Sequence, residues 1–367
     1  MIEVLRQTLS NDDLDWLTAT GQQRDVPAGS VLIEKQQPLH PLYIVHSGCL
    51  QAMGPRDAGS PLGRAIAAIE EPSSEDIIGT YGSGELVGMA PLLGMGASMM
   101  VVKAVEPATV LEVPYPQVQE KLQQDLAFAT RFYRLCIRLL QERAQQLVQR
   151  LIQRKRLQIY PLAEVLLLLG ELAEGDIDWL STHGIPEEVP AGTVLIQAGK
   201  PVTAVYLLLQ GGISWGVSDS SRRNLTQILA TLEADTPSAP PALREIAKLS
   251  AAEFFGESAL MEKSLALATA TALEDSLVLT LPSPQLRSHL EQDLGFAARL
   301  YRVIALLQAA RSEERLHYLG FGKGAYRLTL ATTETKPDNH SLGHSERLAV
   351  ARSRLHSLLS HLQVQTG

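Results

Sequence analysis

Short apolar runs, broken at regular intervals by glycine and proline, fill two long stretches of the sequence. Typical runs are SVLIE at 30–34, LYIVHSG at 42–48, TVLIQ at 193–197 and VYLLLQGG at 205–212. Short runs of β-branched and aliphatic residues between turn residues are typical of strands. Because helical patterns do not alternate with these runs, the sequence predicts an all-β barrel or jelly roll rather than parallel βαβ units.

A long helical pattern closes each stretch. In the first, the seam positions are separated alternately by four and three residues, which is the spacing of a coiled coil. The pattern predicts one helix from about Gln117 to about Arg156. The seam positions are Leu126, Thr130, Tyr133, Ile137, Leu140, Ala144, Leu147 and Leu151.

This seam can pack against the strands of its own domain or pair with the same helix of a second subunit. Long apolar seams rarely stay exposed to water, and we expect a homodimer through this helix. The helix also carries eight basic residues from Arg131 to Arg156, which form either a face for a polyanion or, as we expect, a solvated face beside the seam. The candidate oligomer seam consists of Tyr133, Ile137, Leu140, Leu147 and Leu151.

Most of the chain is one stretch of sequence that occurs twice. VPAGSVLI at 26–33 recurs as VPAGTVLI at 189–196, a shift of 163 residues. PYPQVQEKLQQDLAFATRFYRL at 114–135 recurs as PSPQLRSHLEQDLGFAARLYRV at 282–303, a shift of 168 residues. A repeat of this length indicates two copies of one domain.

The two shifts differ because the second copy contains extra residues between its early and late strands. EADTPSAPPALRE at 233–245 predicts a loop insertion, and the matching stretch of the first copy, at 68–80, also has the composition of a loop. We therefore divide the chain into a first domain with its long helix at 1–158, a second domain at 159–318 and a C-terminal extension at 319–367.

Composition narrows the class of protein. The 367 residues include 40 acidic and 32 basic side chains, for a formal charge of −8. This balance argues against a surface built throughout to hold DNA or RNA. Cys49 and Cys136 are too few for a disulfide framework and suit a reducing compartment. Residues 1–13 lack the pattern of a secretory signal, and the apolar stretch at 163–173 is too short to span a membrane, so we expect a cytoplasmic protein.

The order of these elements resembles the cyclic-nucleotide-binding domain family, which includes the catabolite activator protein and the regulatory subunits of cyclic-AMP-dependent kinase. The resemblance rests on the VPAGxVLI strand, the two strands that end in glycine, FFGESALM at 254–261, ATATALEDSLVLTLP at 268–282 and the terminal amphipathic helix. It covers about 5–158 and 165–316. The resemblance implies two tandem β-rolls of jelly-roll type, mainly β with α, each followed by a long helix.

In that family a short cassette inside the roll holds the cyclic phosphate and ribose. A Gly-Glu pair begins a helical turn whose backbone N–H groups bind the phosphate, and an arginine nine residues after the glutamate neutralises it. The second copy keeps the pair as Gly256 and Glu257, followed by Ser258 and Ala259, but Ala266 stands at the arginine position. These five residues are the candidate ligand-binding set of the second domain.

The first copy departs further from the family's pattern. Gly88 matches the glycine, but Met89 stands at the glutamate position and Ser98 at the arginine position. The surrounding run, VGMAPLLGMGASMMVV at 87–102, holds four methionines and suits core packing, as we expect, or an adaptable apolar contact. Because a buried phosphate without a cation is costly, we expect both cassettes to be degenerate and no cofactor to be bound.

The segment that follows the second copy bears on nucleic-acid binding. It contains GKGAYRLTLATTETKPDN at 322–339, read as a short strand or loop, and one basic amphipathic helix at 345–363. A single helix cannot form the two-helix unit that places a reading helix in the major groove, so we expect no nucleic-acid partner. We also expect no metal site, because the histidines of this segment are irregularly spaced. They are His340, His344, His356 and His361.

The sequence contains no nucleophile–base set, Walker loop or metalloprotease motif, so we expect no enzymatic activity. It favours a non-enzymatic regulatory or assembly protein that binds a protein partner through degenerate cyclic-nucleotide-binding-like domains. The first alternative is a sensor of a small molecule or nucleotide that uses the Glu257 pocket. The second alternative is a transcriptional regulator, which the acidic charge and the missing helix-turn-helix argue against.

Overall fold

The chain is described from a computed structural model in which two compact units are distinguished. The first unit holds the first copy together with most of the last long helix of the second copy, and the second unit holds the strands of the second copy. The units comprise Met1–Leu147, Leu167–Asp176 and Ser288–Arg354, and Val148–Leu166, Ile177–Arg287 and Leu355–Gly367. The structure describes residues 2–34, 41–54, 76–93, 100–152, 169–218, 243–261, 265–318 and 344–362.

Eight antiparallel strands of the first copy form two four-stranded sheets, which we call the first roll. The sheet orders are β1-β8-β3-β6 and β2-β7-β4-β5. Their inward side chains form one apolar cluster that includes Val26, Tyr43, Leu50 and Val110. The strands are β1 (Gln22–Val26), β2 (Val31–Ile33), β3 (Leu42–Ser47), β4 (Leu50–Gly54), β5 (Asp76–Tyr81), β6 (Leu86–Val87), β7 (Val101–Ala104) and β8 (Ala108–Val113).

The second roll repeats this topology strand for strand. Its sheet orders are β9-β16-β11-β14 and β10-β15-β12-β13, again antiparallel throughout. Its cluster includes Tyr206, Leu208, Ile213 and Phe255. The strands are β9 (Ile185–Val189), β10 (Val194–Ile196), β11 (Ala204–Gln210), β12 (Ile213–Ser218), β13 (Leu243–Leu249), β14 (Phe254–Phe255), β15 (Thr269–Ala272) and β16 (Ser276–Pro282).

Even the irregularities of pairing recur. The register of β3 on β8 shifts between Val45 and Ser47, and that of β11 on β16 shifts between Leu208 and Gln210, the equivalent positions. Shifts at Val31/Ile33 and Val194/Ile196 form a second matched pair. Bulges are specific features of a sheet, so their recurrence at equivalent positions shows that the two copies share one fold. The prediction of two rolls of the jelly-roll kind is confirmed.

One stretch expected to be a loop is in part a strand. Residues 76–80 of the stretch 68–80 belong to β5, which pairs with β4 so that Leu50 lies opposite Tyr81. The strand was missed because the residues just before it are rich in Pro, Ser and Glu, a composition typical of loops. Likewise β13 begins at Leu243, inside the predicted insertion at 233–245, whose earlier residues lie outside the described part of the chain.

Eight helices complete the described residues. The helix expected at 345–363 is confirmed as α8, whereas 322–339 lies outside the described residues. None of the described helices has the length and apolar character needed to cross a membrane. The helices are α1 (Ile2–Thr8), α2 (Asn11–Thr20), α3 (Tyr115–Gln124), α4 (Leu126–Ile152), α5 (Glu174–His183), α6 (Ser283–Gln292), α7 (Leu294–Tyr318) and α8 (His344–His361).

The single helix predicted from 117 to 156 is wrong, because the chain breaks it at Asp125. This residue has extended backbone angles, φ −121° and ψ 94°, and ends α3. Its Oδ1 then accepts the N–H of Phe128 at 2.9 Å and so caps α4. Asp293 caps the second copy in the same way, accepting from Phe296 at 2.8 Å.

A buried carboxylate ties the short opening helix of each copy to the long helix that follows its roll. Asp13 on α2 is 3% exposed and accepts from Nε and Nη2 of Arg131 on α4, at 2.5 and 2.8 Å. Asp176 on α5 accepts from the same two nitrogens of Arg299 on α7, at 2.6 and 2.7 Å. We call these two bidentate pairs the Asp–Arg clamps. Charge-assisted pairs of this geometry are among the strongest polar contacts in proteins.

Asp13 also completes the start of its own helix. The Ser10 hydroxyl accepts the N–H of Asp13 at 3.2 Å, and Asp13 Oδ2 accepts the N–H of Ser10 at 2.9 Å, which is a capping box. Burial alone would raise the pKa of Asp13, but the hydrogen bonds from Arg131 and Ser10 outweigh it and hold that pKa below its usual value.

We expect Asp13→Asn to lower the free energy of unfolding by about 2–3 kcal/mol, because the substitution leaves Arg131 without its partner; Arg131 is 31% exposed, so the loss is smaller than for a fully buried pair. Urea denaturation measures this loss. Because the folded pKa of Asp13 is depressed, its contribution is present above about pH 4 and disappears as pH falls through the folded pKa. Asp15→Asn, an exposed change on the same helix, is the control; equal losses for both variants would contradict the clamp.

Candidate functional site

The second cassette, residues 256–261, is a backbone feature that only glycine can begin. Gly256 follows β14 and has φ 79° and ψ 17°, in the left-handed region. A Cβ built on it would lie 2.7 Å from the carbonyl oxygen of Ala204. A short 3-10 turn, Glu257–Leu260, follows, in which Ala259 N–H donates to the Gly256 carbonyl at 2.9 Å. The glycine therefore sets both the direction of the chain and its close approach to β11.

The side chains of this cassette are mostly enclosed. Glu257 is the first residue of the turn and is 5% exposed. Ala266 is 8% exposed and belongs to the apolar cluster of the second roll, and its N–H donates to the carbonyl of Lys200 at 2.9 Å. The residue at the arginine position is thus a buried methyl group among aliphatic neighbours.

The first cassette, residues 88–93, keeps the same backbone with different side chains. Gly88 has φ 91°, and the turn Pro91–Leu93 follows it. Met89 stands where Glu257 stands in the second copy and is 7% exposed. The expected core role of this residue agrees with its burial, while Ser98 lies outside the described residues.

Each cassette is fastened to the helix that follows its roll. The Ser283 hydroxyl on α6 donates to the carbonyl of Ala259 at 2.8 Å, and Arg287 Nε donates to the same oxygen at 3.1 Å. At the equivalent place in the first copy, the Tyr115 hydroxyl on α3 donates to the carbonyl of Pro91 at 3.3 Å. Arg287 therefore binds the carbonyl end of the turn and not its N–H end, where a phosphate would sit.

Sequence reasoning missed a carboxylate that lies just before each cassette and stabilises the turn there. Glu253, fully buried, accepts from the backbone N–H of Ser250 at 3.0 Å. Glu85 occupies the same place in the first copy and accepts from the N–H of Gly82 at 2.5 Å. Both acids precede the cassette glycine by three residues, so the repeat itself contained the signal. Each carboxylate accepts a backbone N–H of the turn that precedes its cassette, and so stabilises that turn.

The arginines of α4 make contacts within the chain. Arg134 lies over the ring of Tyr301 on α7, with its Cζ 5.8 Å from the ring centroid. Arg138 Nη2 donates to Gln7 at 3.0 Å, and Arg131 belongs to the first clamp. The basic residues of α4 whose side chains are described therefore make separate local contacts, while the side chains of the basic residues at 150–156 lie outside the described residues.

The candidate oligomer seam is buried inside the chain over its described part. Ile137 is fully buried, and Tyr133, Leu140 and Leu147 are also buried, while the side chain of Leu151 lies outside the described residues. Burial raises the pKa of Tyr133 to about 12, so its hydroxyl stays protonated. Burial also raises the pKa of the neighbouring Cys136 thiol. A homodimer through this helix stays a prediction, and these side chains would have to leave the interior to form it.

Metal coordination finds no support in the described part of the chain. Within those residues, no group of three His, Cys, Asp or Glu side chains is placed to hold an ion. Of the tail histidines, His361 lies beside Ser181, with Nδ1 3.3 Å from the hydroxyl, whereas His340 and the side chain of His344 lie outside the description.

Comparison with known proteins agrees with this architecture. Residues 23–125 match the family "Cyclic nucleotide-binding domain". The chain has no match among curated proteins.

Among solved structures, the chain is similar to the regulatory domain of Toxoplasma gondii PKA with cAMP, at 17% identity over 82% of this chain and 92% of that one, with a TM-score of 0.28. It is also similar to a regulatory subunit of a cAMP-independent protein kinase A from Trypanosoma cruzi bound to guanosine, at 14% identity over 86% of both chains and a TM-score of 0.30. The N-terminal domain of a Streptomyces coelicolor transcriptional regulator matches at 21% identity over 39% of this chain and 90% of its own, with a TM-score of 0.30. Likenesses with TM-scores this low do not bear on the function of this chain.

We expect Gly256→Ala to destabilise the protein more than Gly192→Ala, by about 1–3 kcal/mol. Both glycines have positive φ, 79° and 84°, so both substitutions strain the backbone. Nothing lies within 4 Å of a Cβ at Gly192, whereas at Gly256 it meets the Ala204 carbonyl at 2.7 Å. Urea denaturation of both variants measures the difference, and equal losses would show that the cassette is not held against β11.

Proposed function

We propose that this protein is a non-enzymatic regulatory or assembly protein. Its first copy matches the Cyclic nucleotide-binding domain family over residues 23–125, and its second copy repeats that fold. It acts by binding a protein partner through rolls whose nucleotide cassettes are degenerate. One observation carries the proposal: both copies keep the cassette backbone, while neither has an arginine at the phosphate position, which is Ser98 in the first copy and Ala266 in the second.

The free-energy cost of burying a phosphate supports the proposal that both cassettes are degenerate. In the first cassette Met89 stands at the glutamate position, and in the second Ala266 stands at the arginine position; both side chains are buried and apolar. Neither side chain can compensate a negative charge, and an uncompensated buried charge is strongly unfavourable. Among the described residues, Arg287 is the cation that contacts the second cassette, and its side chain donates to the carbonyl of Ala259.

Both rolls are retained although the phosphate-binding arginine is missing from each. This favours a role in which the surfaces of the rolls bind a protein. The cassettes remain hydrogen-bonded to α3 and α6 through the Pro91 and Ala259 carbonyls, so the contact between each cassette and the following helix is kept. We propose that the partner is a different protein or a second copy of this chain, and that the protein works in the cytoplasm, where its two free cysteines stay reduced.

Isothermal titration tests the degenerate cassettes. We expect cyclic AMP, cyclic GMP and cyclic dinucleotides to give no binding with a dissociation constant below about 1 μM, because neither copy has an arginine at the phosphate position of its cassette. Glu257→Ala is the matched variant: submicromolar binding that this substitution removes would overturn the proposal in favour of a ligand sensor.

A sensor is the second candidate, favoured by the retained Gly256 and Glu257 at the start of a turn. Affinity capture with the full chain separates the two functions. A regulatory binding module is expected to retain the same partner with and without cyclic AMP, and with Glu257→Ala. A partner whose capture depends on the nucleotide and on Glu257 would support the sensor instead.

A further inference from the structure

An apolar strip lies on the outer face of the second roll, along β10, β15 and the residues that flank β15. The segment LALATATAL at 265–273 alternates between leucine or threonine and alanine. Its four alanines are buried, so the residues between and beside them face away from the core. We call the exposed members of this face the outer strip. It consists of Val194, Leu265, Leu267 and Leu273, which are between 39% and 53% exposed.

The pattern of this segment is the reverse of the one that suits a sheet face in water. In an antiparallel sheet with one solvated face, the large apolar side chains point into the core and polar side chains point outward. Here small alanines point inward and leucines point outward. Single exposed apolar side chains are common on proteins, but a row of them on one face indicates contact with another molecule.

The first roll has the ordinary pattern at the equivalent positions. Val102 is buried where the second copy has Ala270, so the larger side chain faces the core. Lys103 stands at the position of Thr271 and lies across from Val31 on the neighbouring strand. A charge therefore occupies the middle of that outer face, where protein interfaces are depleted of charged residues. The outer strip is a property of the second copy and not of the fold.

The rest of this sheet is polar on the same face. Ser214 lies across from Thr271, and its hydroxyl donates to Glu245 at 2.7 Å. Lys248 forms an ion pair with the same glutamate at 3.6 Å. The apolar strip is thus bordered by polar side chains on its β12 side, and an apolar centre with a polar rim is the usual arrangement of a protein interface.

The two ends of the outer strip carry opposite charges. Lys200 is exposed at the end marked by Leu265, and backbone hydrogen bonds join the segments on which these two residues lie. Glu274 and Asp275 are exposed at the other end, directly after Leu273. Within the described residues, no ion pair engages Lys200 or Glu274. Eight residues of extended chain separate the two ends by about 26 Å.

A strip with opposite charges at its ends is complementary to itself. Half a turn about an axis through the middle of the strip brings Lys200 of a second copy to Glu274 of the first. The same operation brings Glu274 of the second copy to Lys200 of the first. Contacts of this reciprocal kind define two-fold dimers. A second copy of the chain therefore supplies both the apolar surface and the charges that this face requires.

We propose that two copies of this chain associate through the outer strip of the second roll, with the two strips antiparallel. This inference rests on the proposed function, because it names a partner and a surface for the protein-binding role. The apolar centre is small, so the dimer is reversible, with a dissociation constant on the order of 10 μM. This dimer differs from the one expected from the sequence, whose seam on α4 is buried over its described part.

Sedimentation equilibrium of the full chain measures this association. Between about 1 and 200 μM the unmodified chain is expected to change from mostly monomer to mostly dimer. Leu267→Lys places a charge in the apolar centre and is expected to weaken dimerisation by at least about tenfold. Val105→Lys is the control, because Val105 is an exposed aliphatic residue at the first roll's equivalent of Leu273; it is expected to leave dimerisation unchanged.

Exchanging the charges at the ends of the strip tests its antiparallel orientation. Lys200→Glu or Glu274→Lys alone places like charges together at both ends of the dimer and is expected to weaken it by roughly threefold to tenfold. The combined variant restores opposite charges and is expected to recover most of the affinity. Both side chains are exposed, so these variants keep the test decisive if Leu267→Lys is unstable.

A chain that stays monomeric over this concentration range would overturn the inference. A dimer whose affinity is the same in Leu267→Lys and in Lys200→Glu would also overturn it, because that dimer forms through another surface. If the chain is monomeric and captures a different protein, the inference fails while the protein-binding role stands. Submicromolar binding of a cyclic nucleotide would contradict the degenerate cassettes and leave the sedimentation result unaffected, so the two proposals fail separately.

Discussion

The clamp between a buried aspartate and a helical arginine is the interaction that organises each copy. It joins the helix before the roll to the helix after it, over 118 residues in the first copy and 123 in the second. Removing the arginine would leave a buried carboxylate without its partner, because the aspartate side chains are 3% and 4% exposed while the arginines are 31% and 37% exposed. Separately from the clamp, each cassette is hydrogen-bonded to the helix that follows its roll, α3 in the first copy and α6 in the second.

The fold could be predicted from the sequence because its evidence is local and occurs twice. Strand runs, turn residues and the two shifts of 163 and 168 are visible without any contact information. The break at Asp125 was missed because the apolar seam continues through it, although Asp293 repeats the capping residue. The partnership of Asp13 with Arg131 could not be foreseen, since nothing in a linear pattern says which of many charges meet across the fold.

Some features of the candidate site could likewise be predicted from the sequence, and others could not. The turn after Gly256 and the burial of Met89 follow from residues adjacent in sequence, and the comparison of the two copies suffices to predict them. The bracing role of Glu85 and Glu253 needed the geometry of the loop. Arg143 was read only as one of many basic residues on a helix, because its contact with Tyr81 depends on how the helix lies on the roll.

The change from a shift of 163 to one of 168 occurs between β12 and β13, partners in a hairpin in which β13 is the edge strand. On either side the pairing registers of the two rolls coincide, so the extra residues disturb neither sheet. Lengthening a hairpin connection adds only a slowly growing entropic cost. This connection is therefore the natural place to insert a fluorescent reporter, because the roll accepts added length there while the cassette and both clamps keep their geometry.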